Sequence, residues 1–259
     1  MPFAELPGIR LHYELAGSPN VPTLVLSNSL GSNLTMWDPQ MAELSRHFQV
    51  LRYDTRGHGQ SSIPAGPYTV EQLGRDVLAL LDQLHLDRVH FCGLSMGGST
   101  GMWLGLNAPE HLRKLVLCNT AAKIGTAEIW NPRMETVRNG GVKAISSGVL
   151  GRWLSPPFRA KAPDATAKVL NMLESTDTLG YIANCAAIRD FDVRQSVASI
   201  PIPTLVIAGT QDVSTTVADG RYLAEQIPGA RYVELDATHL SNIDQSAAFT
   251  SAVTGFLLA

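Results

Sequence analysis

The chain has 259 residues, 45% of them apolar and 17% charged. That excludes a disordered or fibrous protein and fits one large domain, or one domain with a sizeable insertion. Twenty basic against 23 acidic side chains leave a net charge of −3, with no electrostatic footprint for nucleic acid and no basic run for an anionic membrane.

Thr23 to Ser27 is a short, β-rich apolar run, and Val50 to Asp54 is a second. The second runs into Asp54-Thr-Arg-Gly-His-Gly59, a loop punctuated by glycine. Thr69 offers an N-cap, with Gln72 three residues on as its capping-box partner. Val70, Leu73, Val77, Leu80, Leu81 and Leu84 follow at helical spacing. Val89 to Gly93 reads as a third strand, Met96 to Asn107 as a helix stopped by Pro109, and Leu115 to Asn119 as a fourth strand. From about Thr120 to Ser199 no strong strand occurs, only helical patches divided by Asn131-Pro132, Gly140-Gly141 and Ser155-Pro-Pro157. The alternation then resumes with a strand at Leu205 to Gly209, a helix at Tyr222 to Ile227, a strand at Tyr232 to Leu235 and a helix at Ala247 to Leu258. Strands separated by helices imply crossover connections and a mostly parallel central sheet with helices on both faces, an α/β fold. The expected organisation is a core of residues 1–119 and 200–259, with 120–199 as a helical lid inserted over one end of the sheet.

The longest apolar runs, such as Leu115 to Cys118, are far short of the ~20 residues a spanning helix needs. Met1 to Tyr13 lacks the basic and apolar regions of a signal peptide. Cys92, Cys118 and Cys185 show no C-x-x-C spacing and cannot pair completely. A reduced, cytoplasmic protein is the expectation.

The most informative stretch is Gly93-Leu-Ser-Met-Gly-Gly98. Ser95 stands between a strand and a helix, flanked two positions away by Gly93 and Gly97. A sharp strand-to-helix turn strains the serine backbone, and residues without a Cβ fit beside it. The turn lifts the hydroxyl above the sheet edge, where it can act as a nucleophile if a base assists it. The expected order is serine, acid, histidine. Only His111 and His239 follow Ser95, and a 12-residue helix carries His111 ~18 Å away. His239, in the loop after the last strand, is therefore the base. Asp212, just beyond the strand ending at Gly209, is the acid, and Asp236 is the runner-up; Asp190 and Asp192 lie in the insertion. The oxyanion needs two N–H donors. Met96, the residue after the nucleophile, supplies one, and Leu30 in the loop after Thr23 to Ser27 supplies the second. His58 precedes the elbow and is read as a loop brace.

These motifs resemble those of the α/β-hydrolase superfamily over nearly the whole chain. Within it, Leu26-Ser-Asn-Ser-Leu-Gly31, Leu51-Arg-Tyr-Asp-Thr-Arg-Gly-His-Gly59, Phe91-Cys-Gly-Leu-Ser-Met-Gly-Gly98 and Leu117-Cys-Asn-Thr-Ala-Ala122 look most like the 3-oxoadipate enol-lactonases of bacterial aromatic catabolism. The resemblance implies hydrolysis of a five-membered enol-lactone to 3-oxoadipate, a step of the β-ketoadipate pathway. It also implies a small anionic lactone as partner and no cofactor; no His/Cys cluster has metal-ligand spacing. A substrate carboxylate calls for a cation, and the insertion holds Arg133, Arg138, Arg152 and Arg159. Arg133, three residues after Trp130, is the candidate for the carboxylate, with Trp130 lining the pocket and Trp153 in the lid core. The same elbow also serves carboxylesterases, C–C bond hydrolases and perhydrolases, and a hydrolase-like ligand receptor is the reading from a different class.

Overall fold

In the computed structural model, which describes residues 2–259, strands and helices alternate along most of the chain. The first half holds β1 (Phe3–Leu6), β2 (Ile9–Ala16), β3 (Thr23–Ser27), α1 (Asp38–His47), β4 (Gln49–Tyr53), α2 (Val70–Gln83), β5 (Val89–Leu94), α3 (Met96–Asn107) and β6 (Leu112–Cys118). Five helices follow without a strand: α4 (Ala127–Gly140), α5 (Lys143–Trp153), α6 (Pro156–Lys161), α7 (Pro163–Glu174) and α8 (Thr178–Asp190). The chain then returns to the sheet with β7 (Thr204–Gly209), α9 (Val217–Gln226), β8 (Arg231–Leu235), α10 (Ser241–Asp244) and α11 (Ser246–Leu258).

The strands form one sheet in the order β1-β2-β4-β3-β5-β6-β7-β8. The six strands from β4 to β8 are parallel, whereas β1 and β2 join antiparallel. Alternate side chains divide the core. Leu24, Leu26, Cys92 and Leu94 point to the face covered by α1, α11 and the helical insertion. Val25, Leu51, Phe91 and Leu115 point to the face covered by α2, α3 and α9. Because both faces are covered, β3, β5 and β7 are buried throughout and read as continuous apolar runs.

The capping box forms as expected: Gln72 N–H donates to Thr69 Oγ1 at 3.1 Å, and Thr69 N–H donates to Gln72 Oε1 at 3.0 Å. Four elements were not foreseen: β1, β2, α1 and the one-turn α10. β1 and β2 are half-exposed near the sheet edge, and β2 carries Arg10, His12 and Glu14, so its apolar signal is diluted. His12 is buried only because its Nδ1 meets Asp54 Oδ2 at 2.7 Å. In α1 only Gln40 and Leu44 are buried, too few for a helical stripe to show. No helix among the described residues is long and apolar enough to cross a membrane.

α2 and α3 approach closely at Gly74, where a Cβ would fall 2.0 Å from the Trp103 ring. Alanine favours a helix over glycine by about 1 kcal/mol, but overpacking against a rigid ring costs about 1–3 kcal/mol. The clash wins. Gly74→Ala is expected to lower Tm by a few degrees in thermal unfolding followed by circular dichroism; an unchanged or higher Tm would show that the helices can part without loss.

Candidate active site

Ser95 lies between β5 and α3 with φ 57° and ψ −112°, in the left-handed region that side chains disfavour. Two main-chain bonds fix it there. Ser95 N–H donates to Cys118 O at 2.9 Å, and Gly97 N–H donates to Asn28 O at 3.0 Å. The turn is tight enough that a Cβ on Gly97 would sit 2.2 Å from Ser27 O, so only glycine fits. The serine is 6% exposed and lines a cavity above the sheet edge.

Asp212 follows β7 and His239 follows β8, both at the carboxyl ends of parallel strands, where sites of open α/β sheets belong. His239 Nδ1 lies 2.8 Å from Asp212 Oδ2. The carboxylate also accepts from Ser214 N–H at 2.8 Å, Thr215 Oγ1 at 2.8 Å and Asn119 Nδ2 at 3.0 Å. Burial alone would raise its pKa, but the charge and hydrogen bond of His239, with the bonds from Asn119 and Ser214, outweigh it and hold the carboxyl down at about 2. Asp212 is therefore ionised at neutral pH. His239 shares the cavity wall with Ser95. No hydrogen bond joins Ser95 Oγ to the ring, a looseness ordinary in unliganded enzymes. The runner-up Asp236 is turned outward, accepting from Gln211 Nε2 at 2.7 Å. Asp190 and Asp192 pair on the surface with Arg189 and Arg194, and His111 sits beyond the far end of α3.

Leu30 lines the cavity with Ser95 and Met96 directly follows Ser95, and neither amide donates to another group among the described residues. Their neighbours are engaged: Ser29 N–H points to Met36 Sδ at 3.4 Å and Gly31 N–H donates to His58 Nε2 at 2.8 Å. His58 thus braces the loop that presents the Leu30 amide. Sequence reasoning missed Asn119. It directly follows β6 at φ 43°, and its Nδ2 also reaches Thr238 O at 3.2 Å, so it joins the Asp212 turn to the His239 loop. Its position in the apolar run Leu115 to Asn119 marked only a strand end.

The cavity has a volume of about 560 Å³. Trp130, Arg133 and Arg152 line it, and so does Trp153, which was expected in the lid core. No acidic side chain lines it. The Arg133 guanidinium stacks 5.2 Å from the Trp130 ring and 5.6 Å from the Tyr181 ring and donates to the Tyr181 hydroxyl. Its Nε has no partner, and neither Arg133 nor Arg152 forms an ion pair among the described residues. Burial first, then repulsion from Arg133, lowers the pKa of Arg152; both residues line the same cavity. Arg138 instead pairs with Glu135. No set of three or more His, Cys, Asp or Glu side chains among the described residues is arranged to hold a metal.

A strained serine elbow, a histidine–carboxylate pair and a parallel sheet under a helical cover are the marks of a hydrolase. The chain belongs to the alpha/beta hydrolase fold family, whose model matches residues 22–246. It is 45% identical to 3-oxoadipate enol-lactonase 2 of Acinetobacter baylyi, over 95% of this chain and 92% of that protein. It is 41% identical to 3-oxoadipate enol-lactonase 1 of the same organism, over 96% and 94%. The crystal structure of the enol-lactonase from Burkholderia xenovorans superimposes with a TM-score of 0.98 at 49% identity, each chain fully covered.

Burial pushes the His58 imidazole down to about 4, and His90 on β5 is held at about 4 by burial and by Lys114 and Arg113. Unfolded histidine titrates near 6.5, so between these values the unfolded chain binds more protons. Stability is then complete above about pH 6.5 and is lost as pH falls toward 4, on the order of 3 kcal/mol for a single fully shifted histidine. Urea unfolding from pH 7 to pH 4.5 is expected to show this decline. His58→Gln, which can accept from Gly31 N–H without titrating, is expected to flatten it; an unchanged slope would remove His58 from the account.

Proposed function

We propose that this chain hydrolyses the enol-lactone of 3-oxoadipate to 3-oxoadipate, with Ser95 as nucleophile, His239 as base and Asp212 as the acid that orients it. The observation that carries the reading is the cavity itself. Ester-cleaving groups stand at one wall, two unpaired guanidinium groups at another, and no acid lies between them. A small lactone bearing a free carboxylate matches that combination, and the kinship with enol-lactonases supports it.

His239 Nε2 takes the Ser95 proton as Oγ attacks the lactone carbonyl. The amides of Leu30 and Met96, free of other partners, receive the oxyanion. Collapse breaks the ring acyl–oxygen bond and expels an enolate, which takes the proton from His239 and tautomerises to the ketone, leaving the imidazole neutral again. Water, deprotonated by His239, then attacks the acyl group and releases Ser95 and the dicarboxylate. Asp212 stays ionised and stabilises the imidazolium formed in each half. Arg133 holds the substrate carboxylate through its planar, two-pronged guanidinium, and Trp130 packs against the ring. Residues 120–199 act as the lid, residues 1–119 and 200–259 as the core, and the reaction takes place in the cytoplasm, in keeping with three free cysteines.

The direct test is the ultraviolet decay of freshly generated enol-lactone. The wild type is expected to reach a kcat/KM of ~10⁴ M⁻¹s⁻¹ or more, and Ser95→Ala to lose at least ~10³-fold. Absence of decay from a protein that still hydrolyses p-nitrophenyl acetate would discard the lactonase reading and keep an esterase. Arg133→Ala is expected to raise KM for the anionic lactone roughly 10- to 100-fold, from the lost charged hydrogen bonds, while the neutral ester changes less than about threefold. Equal effects on both would remove Arg133 from carboxylate recognition.

A further inference from the structure

Four aspartates are buried in the fold: Asp54, Asp76, Asp212 and Asp244. The first three face His12, Arg56 and His239. Asp244, on α10, faces no cation and no imidazole among the described residues; its donors are all neutral. Its Oδ1 receives the Ser155 hydroxyl at 2.7 Å and the Ser155 amide at 3.4 Å. Its Oδ2 receives the Thr238 amide at 2.9 Å and faces the Thr238 hydroxyl at 3.0 Å. That hydroxyl has one proton and also faces Trp153 O at 2.7 Å, so it serves one acceptor at a time. The Thr238 amide bond does not depend on which it chooses.

An aspartate buried without a partner charge is expensive. Its surroundings indicate what it does. Ser155 caps α6 directly after α5, with Phe158 N–H donating to its hydroxyl at 3.3 Å. Thr238 directly precedes His239. Asp244 therefore joins the α5–α6 junction to the loop that carries the proposed base. Two main-chain bonds run beside it: His239 N–H donates to Arg152 O at 3.2 Å, and Leu240 N–H donates to Trp153 O at 3.0 Å. Arg152 and Trp153 are also cavity-lining residues.

We propose that Asp244 is a positioning residue for His239, a strap whose two oxygens make the cavity wall at the end of α5 and the His239 loop move as one body. The inference rests on the proposed role of His239 in ester hydrolysis and not on the identity of the lactone. Asp244 touches neither substrate nor ring. It acts by holding the loop, and a displacement of ~1 Å at a reacting group can cost ~10²-fold in rate.

The test is Asp244→Asn. A side-chain amide has a single acceptor oxygen, so it can accept from Ser155 or from the Thr238 amide but not from both. The expected result is a roughly 10- to 100-fold fall in kcat on both the enol-lactone and p-nitrophenyl acetate, with KM within about threefold. The downfield proton resonance of His239 Nδ1–H should shift as well, although residue 244 does not contact the ring. Ser155→Ala and Thr238→Val each loosen one side and should each lose kcat by less. A variant that loses Tm but keeps the wild-type kcat and the wild-type resonance overturns the proposal. If Asp244→Asn does not fold, the single-sided variants decide it, and wild-type kcat in both overturns it. Failure of the lactonase reading would appear separately, as wild-type protein inactive on the lactone, and the strap would then be judged on the neutral ester.

Discussion

The arrangement depends on one strained residue. Holding Ser95 at φ 57° costs about 1–3 kcal/mol, which the surroundings must offset. They do so with the bonds from Ser95 N–H to Cys118 O and from Gly97 N–H to Asn28 O, which link the carboxyl ends of β6, β5 and β3. The same bonds decide which amides remain available. Gly97 N–H is consumed by Asn28, so of the two amides that directly follow Ser95 only Met96 N–H is left free. Asn28 is in turn held by its own side chain, which donates to Tyr53 O at 2.7 Å and accepts from Trp37 Nε1 at 2.9 Å. The loop after β3 and the elbow after β5 are therefore one rigid unit, closed from outside by His58.

Electrostatics gives the cavity its second constraint. Arg133 and Arg152 have no carboxylate partner, and their mutual repulsion is softened only by the aromatic faces of Trp130 and Tyr181 and the Tyr181 hydroxyl. Burial and this repulsion both work against the charged form of Arg152. The cavity wall holds no acid, because Asp212 lies behind His239 with its oxygens occupied. On the proposed reading, the substrate carboxylate offsets one of the two charges, which a neutral ester cannot do.

Much of this was legible in the residues, for physical reasons that differ by element. β3, β5 and β7 are buried on both faces, so they read as continuous apolar runs. Thr69 and Gln72 carried a capping signature because the box is local. The positions of Ser95, Asp212 and His239 were readable because each directly follows a strand, and strand ends in a parallel sheet converge. The misses are just as physical. β2 lies near the sheet edge with charged side chains, and α1 buries too little to show a stripe. Arg152 could not be told from Arg138 or Arg159, because only tertiary packing turns one toward the cavity and another toward Glu135. Asn119 and Asp244 act across long sequence separations, through hydrogen bonds that have no periodic or compositional signature.

The distribution of supports around His239 fits the demands of an enol ester. An enolate leaves more readily than an alkoxide, so in the proposed mechanism proton donation to the leaving oxygen matters less than proton abstraction, first from Ser95 and then from water. A site for that chemistry needs a base whose ring returns to the same orientation twice in each cycle. Asp212 provides this through Nδ1, and it is itself fixed by Thr215, Ser214 and Asn119. Because burial opposes its ionisation, the charge and hydrogen bond of His239, with the bonds from Asn119 and Ser214, are needed to keep the carboxyl at about 2 and hence charged beside the imidazole. The loop backbone is held from the other side by the carbonyls of Arg152 and Trp153. His239 is thus held from both the sheet and the helical insertion: α5 contacts its backbone and also brings the Arg152 guanidinium to the cavity, whereas Arg133, the residue proposed to hold the carboxylate, comes from α4.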